Sequence, residues 1–538
     1  MEINMNTKYK TLYICEKPSQ ARLIAKLLGA AEKQDIVFIG NDVAVTWGFG
    51  HLRELAKPDS YIDSTRWNIE SLPVLPNKWR WETSPKHLEH YNKIGQLLNG
   101  VSNVVIATDA DDEGEVIGRQ ILEGHQFSGN AKRVWISALD QDNLIEAIKN
   151  PLSLSSTQSV YRAGLIRNKL DWLFGMNLSR AFSVLHGQTV KIGRVKAHIV
   201  NELSNKEAEI KSFIPVIEKM SVFDLSGNLF VANSDLVKTG LGSCTCIDVS
   251  QESMQIQPPV PYSLSTLLLD AASCGIGLAN AMNSIQHLYE NGAISYPRTS
   301  SHSLPGAKQG FASHHAIIAL GNTPSELDQT GQIIYNLVFN NVVMNDIGPA
   351  NIARTNVLMD YEGVVYKKSF LRVSDEDAGW LLCDPSKMAD YQDMAPPYQK
   401  GQKYTGVFSS RTTSSECPVK FNEADLLRKM METKIGTEST RVDTILSLST
   451  ENLVEVNQSG QFELTEKGKI LSSSISKITH NEMESIVKDA VSMSRLEECD
   501  DRHLIKATKW LSRQIANLEG DSIIPDYDIP ASLRHSPI

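Results

Sequence analysis

The chain has 538 residues, 22% of them charged and 41% hydrophobic, with 33 glycines and 21 prolines. This is ordinary globular composition, so global disorder, collagen and coiled coil are excluded, and the length suggests about three to four domains. The 53 basic and 63 acidic residues leave a net charge of −10, so a nucleic-acid role would require basic residues gathered on one surface. No run reaches the roughly 18 apolar residues that span a bilayer, and the polar stretch from Met1 to Lys10 predicts no signal peptide. The seven cysteines contain no C-x-x-C pair, which argues against a zinc ribbon and for a reducing cytoplasm.

In chain order, Leu12 to Cys15 reads as a short buried strand. Ser19 is the expected cap of a following helix with Leu23, Ile24, Leu27 and Leu28 on one stripe. Val104 to Ala107 reads as a second buried strand, and Leu144, Ile145 and Ile148 mark another helix. Strands alternating with helices predict a parallel sheet over the first part of the chain. Residues 155–210 read as helical, with a basic cluster at Lys191, Arg194 and Lys196. Short alternating strands are expected from Ile217 to Phe230, a stiff break at Gln257 to Pro261, helices to about residue 292, and a second strand-rich tract over 352–410, interrupted at Pro396-Pro397. Helices return at 423–450. Leu453 to Val456, the turn Gln458-Ser459-Gly460, and Phe462 to Leu464 then read as a hairpin. A helix followed by a hairpin is winged-helix-like, and the proline-bearing tail is expected to be irregular.

Two strand ends carry candidate chemistry. Asp109-Ala110-Asp111-Asp112-Glu113-Gly114 follows the second strand. In a parallel sheet, ligands gather at the carboxyl ends of strands. Carboxylates crowded there suit a hard cation such as Mg²⁺, although a solvated acidic loop is the blander alternative. Glu16-Lys17-Pro18-Ser19 ends the first strand. A glutamate beside a lysine can donate a proton or be no more than a surface ion pair.

Together, a strand ending in Glu and a later strand ending in D-x-D-x-E resemble a Toprim domain. Further segments resemble type IA DNA topoisomerases in the expected order. Asp171 to Ala181 resembles the family's D-W-L-x-G-x-N-x-x-R-A, and Ile192-Gly193-Arg194-Val195 its S-x-G-R-V-Q. Pro261 to Ser265 resembles the start of its gate domain, and Ile294-Ser295-Tyr296-Pro297-Arg298-Thr299 its nucleophile motif. His314 to Ile318 resembles its H-H-A-I-I box, and Gly436 to Arg441 its G-T-E-A-T-R. The local style is closest to the topoisomerase III branch.

The resemblance implies a multidomain α/β plus α plus β fold, a torus with an N-terminal Toprim domain (1–152). A helical, winged-helix-like DNA-binding domain would comprise 153–213 and 411–538. A strand-rich arch would comprise 214–258 and 346–410, and a gate domain, 259–345, would carry the tyrosine. It implies ATP-independent cleavage of single-stranded DNA by Tyr296 through a 5′-phosphotyrosyl link. Arg298 would stabilise the phosphate charge, Lys17 and His314 would contact the phosphate, and Glu16 would manage the leaving-oxygen proton. Asp109, Asp111 and Glu113, with Glu16, would hold Mg²⁺. Arg167, Arg194, Lys196, Thr437 and Thr440 would line the strand-binding groove. A monomer in the bacterial cytoplasm, associated with the nucleoid, away from any membrane, is implied, with a helicase as one partner class. No P-loop G-x-x-x-x-G-K-[ST] occurs.

The chain departs from the family at several places. Asp112 stands where the family has arginine, which is expected to raise metal affinity and lower DNA affinity at that loop. Lys196-Ala197-His198 replaces Gln-Thr-Pro. Tyr296 and His314 lie only 18 positions apart, so a loop is expected in place of gate-domain helices. Residues 215–260 look too compact for the loop used in decatenation. Two rivals follow: a Toprim nuclease or primase without the tyrosine, and a non-catalytic DNA-binding relic.

Overall fold

The computed structural model describes residues 9–62, 67–233, 238–305, 314–321, 327–476, 480–496 and 502–519. Two compact units emerge. One comprises Met1–Asn205, Ser263–Tyr335 and Phe421–Ile538, and the other Lys206–Tyr262 and Asn336–Lys420.

In the first unit, a seven-stranded sheet is built around the strand Thr11–Cys15. That strand pairs in parallel with Val43–Trp47 on one side and Asn103–Ala107 on the other. The next neighbour, Asn130–Arg133, is also parallel, whereas the outer pairings are antiparallel. The centre is thus the expected parallel sheet, with antiparallel edges that local sequence did not announce. Leu12, Ile14, Val104 and Ile106 are buried together with Ile94 and Ile121 from helices. Continuous apolar runs of this kind mark strands covered on both faces.

The helix after the first strand is Pro18–Leu27, with Pro18 at its start and Lys17 at the cap position without a side-chain cap bond. The expected cap at Ser19 is therefore corrected. Proline fits the first helical position, where its missing N–H costs nothing. The long helix Gln158–His186 and the helix Arg194–Lys211 occupy the predicted helical tract. The winged-helix-like pattern also forms: helices Glu423–Glu432 and Glu438–Thr450, a hairpin of Val454–Val456 with Phe462–Leu464, then helix Glu466–Ile475. The gate segment contributes helices Leu264–Ser273 and Leu278–Glu290. Residues 299–305 contain no helix, in line with the loop expected there. Residues 306–313, and the tail beyond residue 519, lie outside the described residues.

The second unit is a closed barrel. Its strands run Ile217–Leu225, Asn228–Ala232, Val364–Arg372, Ala350–Tyr361, Gly240–Ile256 and Lys403–Ser414, the last returning to the first. Phe223 lies opposite Phe408, and both are buried with Phe230, Tyr366 and Phe370. Each such ring contributes roughly 1.5–3 kcal/mol of hydrophobic stabilisation. Closure removes the free edges that antiparallel strands otherwise present. Gly240–Ile256 has 17 residues, longer than the short strands expected. It ends where Gln257 begins the proline-rich break.

Candidate active site

Because Cys15 pairs with Ala107, Glu16 and Thr108-Asp109 leave the sheet side by side. The Asp109 N–H donates to Glu16 Oε2 at 3.2 Å. Lys17 Nζ and Gln20 Nε2 each lie 3.4 Å from the Asp109 carboxylate. Glu16 is buried. Desolvation, with the Asp109 carboxylate next, pushes its pKa up to about 8, against the pull of Lys17. Burial therefore favours the protonated form of Glu16.

Asp111 caps the helix Asp112–Gly124, accepting at Oδ1 from the Gly114 N–H at 2.7 Å. A side chain at Gly114 would place its Cβ 2.1 Å from the Asp109 carbonyl oxygen, so only glycine lets the helix start this close to the loop. From below, Arg133 fixes the same loop. It is fully buried, pairs with Glu115 at 2.5 Å, and donates to the carbonyls of Thr108, Val134 and Asp109. Glu115 is fully buried as well and also pairs with Arg119.

The segment that carries Tyr296 meets this strand end directly. The Tyr296 N–H donates to the Ser137 carbonyl at 3.0 Å. The Tyr296 hydroxyl donates to Asp111 Oδ2 at 2.7 Å. Its ring is 2% exposed, packs edge-on against Tyr289 and lies tilted against the His314 ring, at 4.5 Å between centroids for the latter. Burial, then the Asp111 and Asp109 charges, raises the Tyr296 phenol well above its ordinary value, with Arg298 opposing. Burial works against the Arg298 charge, but Tyr296, Asp109, Glu16 and Asp111 outweigh it and raise the guanidinium's pKa. His314 bonds through Nε2 to the Ala110 carbonyl and lies parallel to Trp135. Burial lowers its pKa, so the ring is neutral. With Nε2 donating, Nδ1 presents a lone pair, and it has no hydrogen-bond partner among the described residues. Main-chain pairing positions this segment: the Ser295 N–H donates to the Ile318 carbonyl, and Leu320 to that of Ala293.

Glu16, Lys17, Asp109, Asp111, Tyr296, Arg298 and His314 are thus brought together. Glu113 points outward to His51 at 3.3 Å, and the bond to His51 lowers its pKa. The carboxylates are hard oxygen donors whose mutual repulsion a divalent cation would relieve, so their chemistry fits Mg²⁺. Among the described residues, however, no three acidic, histidine or cysteine side chains converge to hold an ion.

A cleft of about 610 Å³ opens beside Asp111, lined by Arg167, Arg298, His314, Thr437 and Thr440 among others. Thr437 and Thr440 form a capping box for the helix Glu438–Thr450. Arg194 and Lys196 do not line this cleft. Arg194 is buried, its Nη1 donates to both Glu484 carboxylate oxygens at 2.6 and 2.8 Å and its Nε to Asp171 at 3.0 Å, and Lys196 pairs with Glu451 at 2.7 Å. Both charges are paired within the fold, where the sequence suggested a strand groove. The expected surplus negative charge at Asp112 is corrected. Asp112 is 8% exposed and is paired with Arg167 at 3.0 Å and Arg495 at 2.8 Å. Sequence reading missed Arg133, Trp135, Tyr289 and Arg495, none of which stands in a recognisable motif.

Known proteins share the domains and the fold. The Toprim domain profile matches residues 11–139, and the profile described as DNA topoisomerase matches 155–313 and 306–501. DNA topoisomerase 3 of Staphylococcus aureus strain MRSA252 is 26% identical over 541 aligned positions, spanning 86% of this chain and 75% of that protein. The protein of the same name from strain USA300 matches equally. The fold is shared with full-length topoisomerase I from Thermotoga maritima, with a TM-score of 0.76 at 19% identity over 95% of this chain and 91% of that one. Among the described residues no helix is long and apolar enough to cross a membrane. With a Toprim sheet, the remaining matched segments in order and a fold shared along nearly its whole length, the chain belongs to the type IA DNA topoisomerases, a family of isomerases.

Proposed function

We propose that Tyr296 is the nucleophile of an ATP-independent strand-passage reaction on single-stranded segments of negatively supercoiled DNA. The observation that carries this reading is the Tyr296 hydroxyl, hydrogen-bonded to Asp111 at 2.7 Å in the electrostatic reach of Arg298. The phenol is not ionised in this setting, so its proton leaves as attack proceeds, and Asp111 is the acceptor in contact with it. The tyrosine oxygen bonds to phosphorus, the P–O3′ bond breaks, and the 5′ phosphate stays on the protein. Glu16, whose burial favours the acid form, supplies the proton to the departing 3′ oxygen and takes it back on religation. Arg298 balances the charge that grows on the phosphate, and Lys17 contacts it at the mouth of the site. Asp109 and Asp111 would hold Mg²⁺, with Glu113 turned in from His51 and Glu16 joining once its proton has left, and the bound ion would supply positive charge for ordering the phosphate and for religation.

The reading keeps residues 259–345 as the gate segment, 1–152 as the Toprim part, 153–213 with 411–538 as the DNA-binding part and 214–258 with 346–410 as the arch. It places a monomer in the bacterial cytoplasm, relaxing negative supercoils, with weak decatenation. A helicase is the class of partner that would open the strands.

Denaturant trapping of a covalent adduct on a single-stranded oligonucleotide tests it. The parent should form the adduct. Tyr296→Phe should form none while binding the strand almost as well, because affinity comes from distributed phosphate contacts. A denaturant-stable adduct on Tyr296→Phe would exclude Tyr296 as the attacking residue.

A further inference from the structure

We infer that Arg495 is a phosphate-contact residue for the single strand in the cleft, with Asp112 as the positioning residue that holds it there. This deepens the reading of the cleft as the strand site and rests on it. Arg495 stands in the last turn of the helix His480–Leu496, the end at which a cation is favoured. The turn before it is anchored: Ser494 is fully buried, and its carbonyl accepts from Arg162 Nε at 3.1 Å. Arg495 reaches Asp112, 383 positions earlier, placing Nη2 2.8 and 3.1 Å from the two carboxylate oxygens. Arg167 approaches the same carboxylate at 3.0 Å.

Among the described residues two guanidiniums share one carboxylate here, which leaves one positive charge in excess. Elsewhere the described wall is balanced or acidic, since Arg441 is matched by Glu438 at 2.7 Å and the Arg298 charge is met by those of Asp109 and Asp111. The Asp112 site is therefore where a backbone phosphate gains most. The access is suitable as well. The Asp112 side chain is 11% exposed, but those of Arg167 and Arg495 are 26% and 39% exposed, and all three line the cleft. Among the described residues only Nη2 of Arg495 is engaged, so its other N–H groups can meet a phosphate oxygen. A planar guanidinium held by a carboxylate on one edge can bind an oxyanion on another with little ordering cost. Asp112, in the first turn of its own helix, thus acts through the arginines and does not touch the strand.

The test is anisotropy of a fluorescein-labelled oligothymidylate with the full chain, without Mg²⁺, across a salt series. Arg495→Ala should weaken binding on the order of tenfold at low salt and flatten the log–log salt slope by about 0.7, the loss of one single-strand phosphate contact. Arg495→Lys should keep a slope close to the parent's. The double variant Asp112→Asn with Arg495→Ala should remain as weak as Arg495→Ala. Thermal unfolding of each variant identifies a loss of fold, and Arg495→Lys, which keeps the charge, carries the test if Arg495→Ala does not fold. A parental slope in Arg495→Ala, a flattened slope in a folded Arg495→Lys, or parental binding restored in the double variant would overturn the proposal. The last of these would mean that Arg495 only neutralises Asp112. No chemistry enters this measurement, so its failure is distinct from a failure of the Tyr296 assignment, which adduct trapping reports.

Discussion

The Tyr296 hydroxyl donates a 2.7 Å hydrogen bond to the Asp111 carboxylate, joining residues 185 positions apart. The other oxygen of that carboxylate caps the helix that follows the acidic loop. One side chain thus ties the start of a helix to the proposed nucleophile, and its two oxygens can be separated by substitution.

Asp111→Asn keeps a carbonyl oxygen for the Gly114 N–H, and asparagine caps about as well as aspartate. Its amide nitrogen cannot accept from the Tyr296 hydroxyl. The melting temperature should change little, while plasmid relaxation should slow more than cleavage and need more Mg²⁺. Asp111→Ala should lose about 1 kcal/mol in addition, as expected for a missing cap. Unchanged relaxation of Asp111→Asn across a Mg²⁺ titration would remove Asp111 from both the metal and the proton roles.

The His314 ring sits between the Ala110 carbonyl and the Tyr296 ring, whereas His315 turns Nδ1 onto the Ala316 carbonyl at 2.6 Å. His314→Ala should therefore slow adduct formation on the order of 10²-fold, and His315→Ala far less. Equal effects in a single-turnover cleavage assay would show that neither ring positions the tyrosine.

The buried pair Arg133–Glu115 supports the loop from inside the sheet. Removing Arg133 leaves Glu115 to Arg119 alone and takes a donor from the buried carbonyls of Thr108, Val134 and Asp109, at about 1–3 kcal/mol for each buried polar group left unsatisfied. Arg133→Met should lower the denaturation midpoint accordingly and weaken cleavage through the displaced Asp109 backbone. A parental midpoint would mean that the pair contributes nothing net.

Much of the site was legible because its residues sit at strand ends: a buried apolar run that stops at Glu16, and another that stops at Asp109, predict neighbours in a parallel sheet. Family motifs were legible as signatures but not as jobs. Trp172 and Asn177, in the D-W-L segment, bond the backbones of Ala56 and Val74, and Arg180 pairs with Asp59. Glu438, in the G-T-E segment, binds the Ser265 N–H and hydroxyl at the start of a gate helix. Those segments hold parts of the chain together, which no local pattern reveals. The burial of Arg194 was not legible for a related reason: a basic cluster in sequence suggests a surface, but its partner Glu484 lies 290 positions away. Charge pairing over such separations is decided by packing, not by periodicity.

Asp112 shows the same limit and yields the last prediction. From sequence alone, Asp112→Arg removes a negative charge beside the acidic loop and should tighten strand binding, shifting the salt midpoint upward. In the structure the position is 8% exposed and already faces two guanidiniums, Arg167 at 3.0 Å and Arg495 at 2.8 Å. A third guanidinium there would confront two like charges in a partly desolvated corner, with no carboxylate left between them. Repulsion at such distances exceeds what water can screen, and the loss of the buried acceptor costs about 3–5 kcal/mol. Asp112→Arg should therefore melt at a lower temperature, drive Arg167 and Arg495 apart, and bind single-stranded DNA no more tightly than the parent. Asp112→Asn, which keeps the shape and an acceptor oxygen, should unfold between the two. Tighter strand binding by Asp112→Arg at an unchanged melting temperature would show that the Arg167–Asp112–Arg495 trio does not persist in solution.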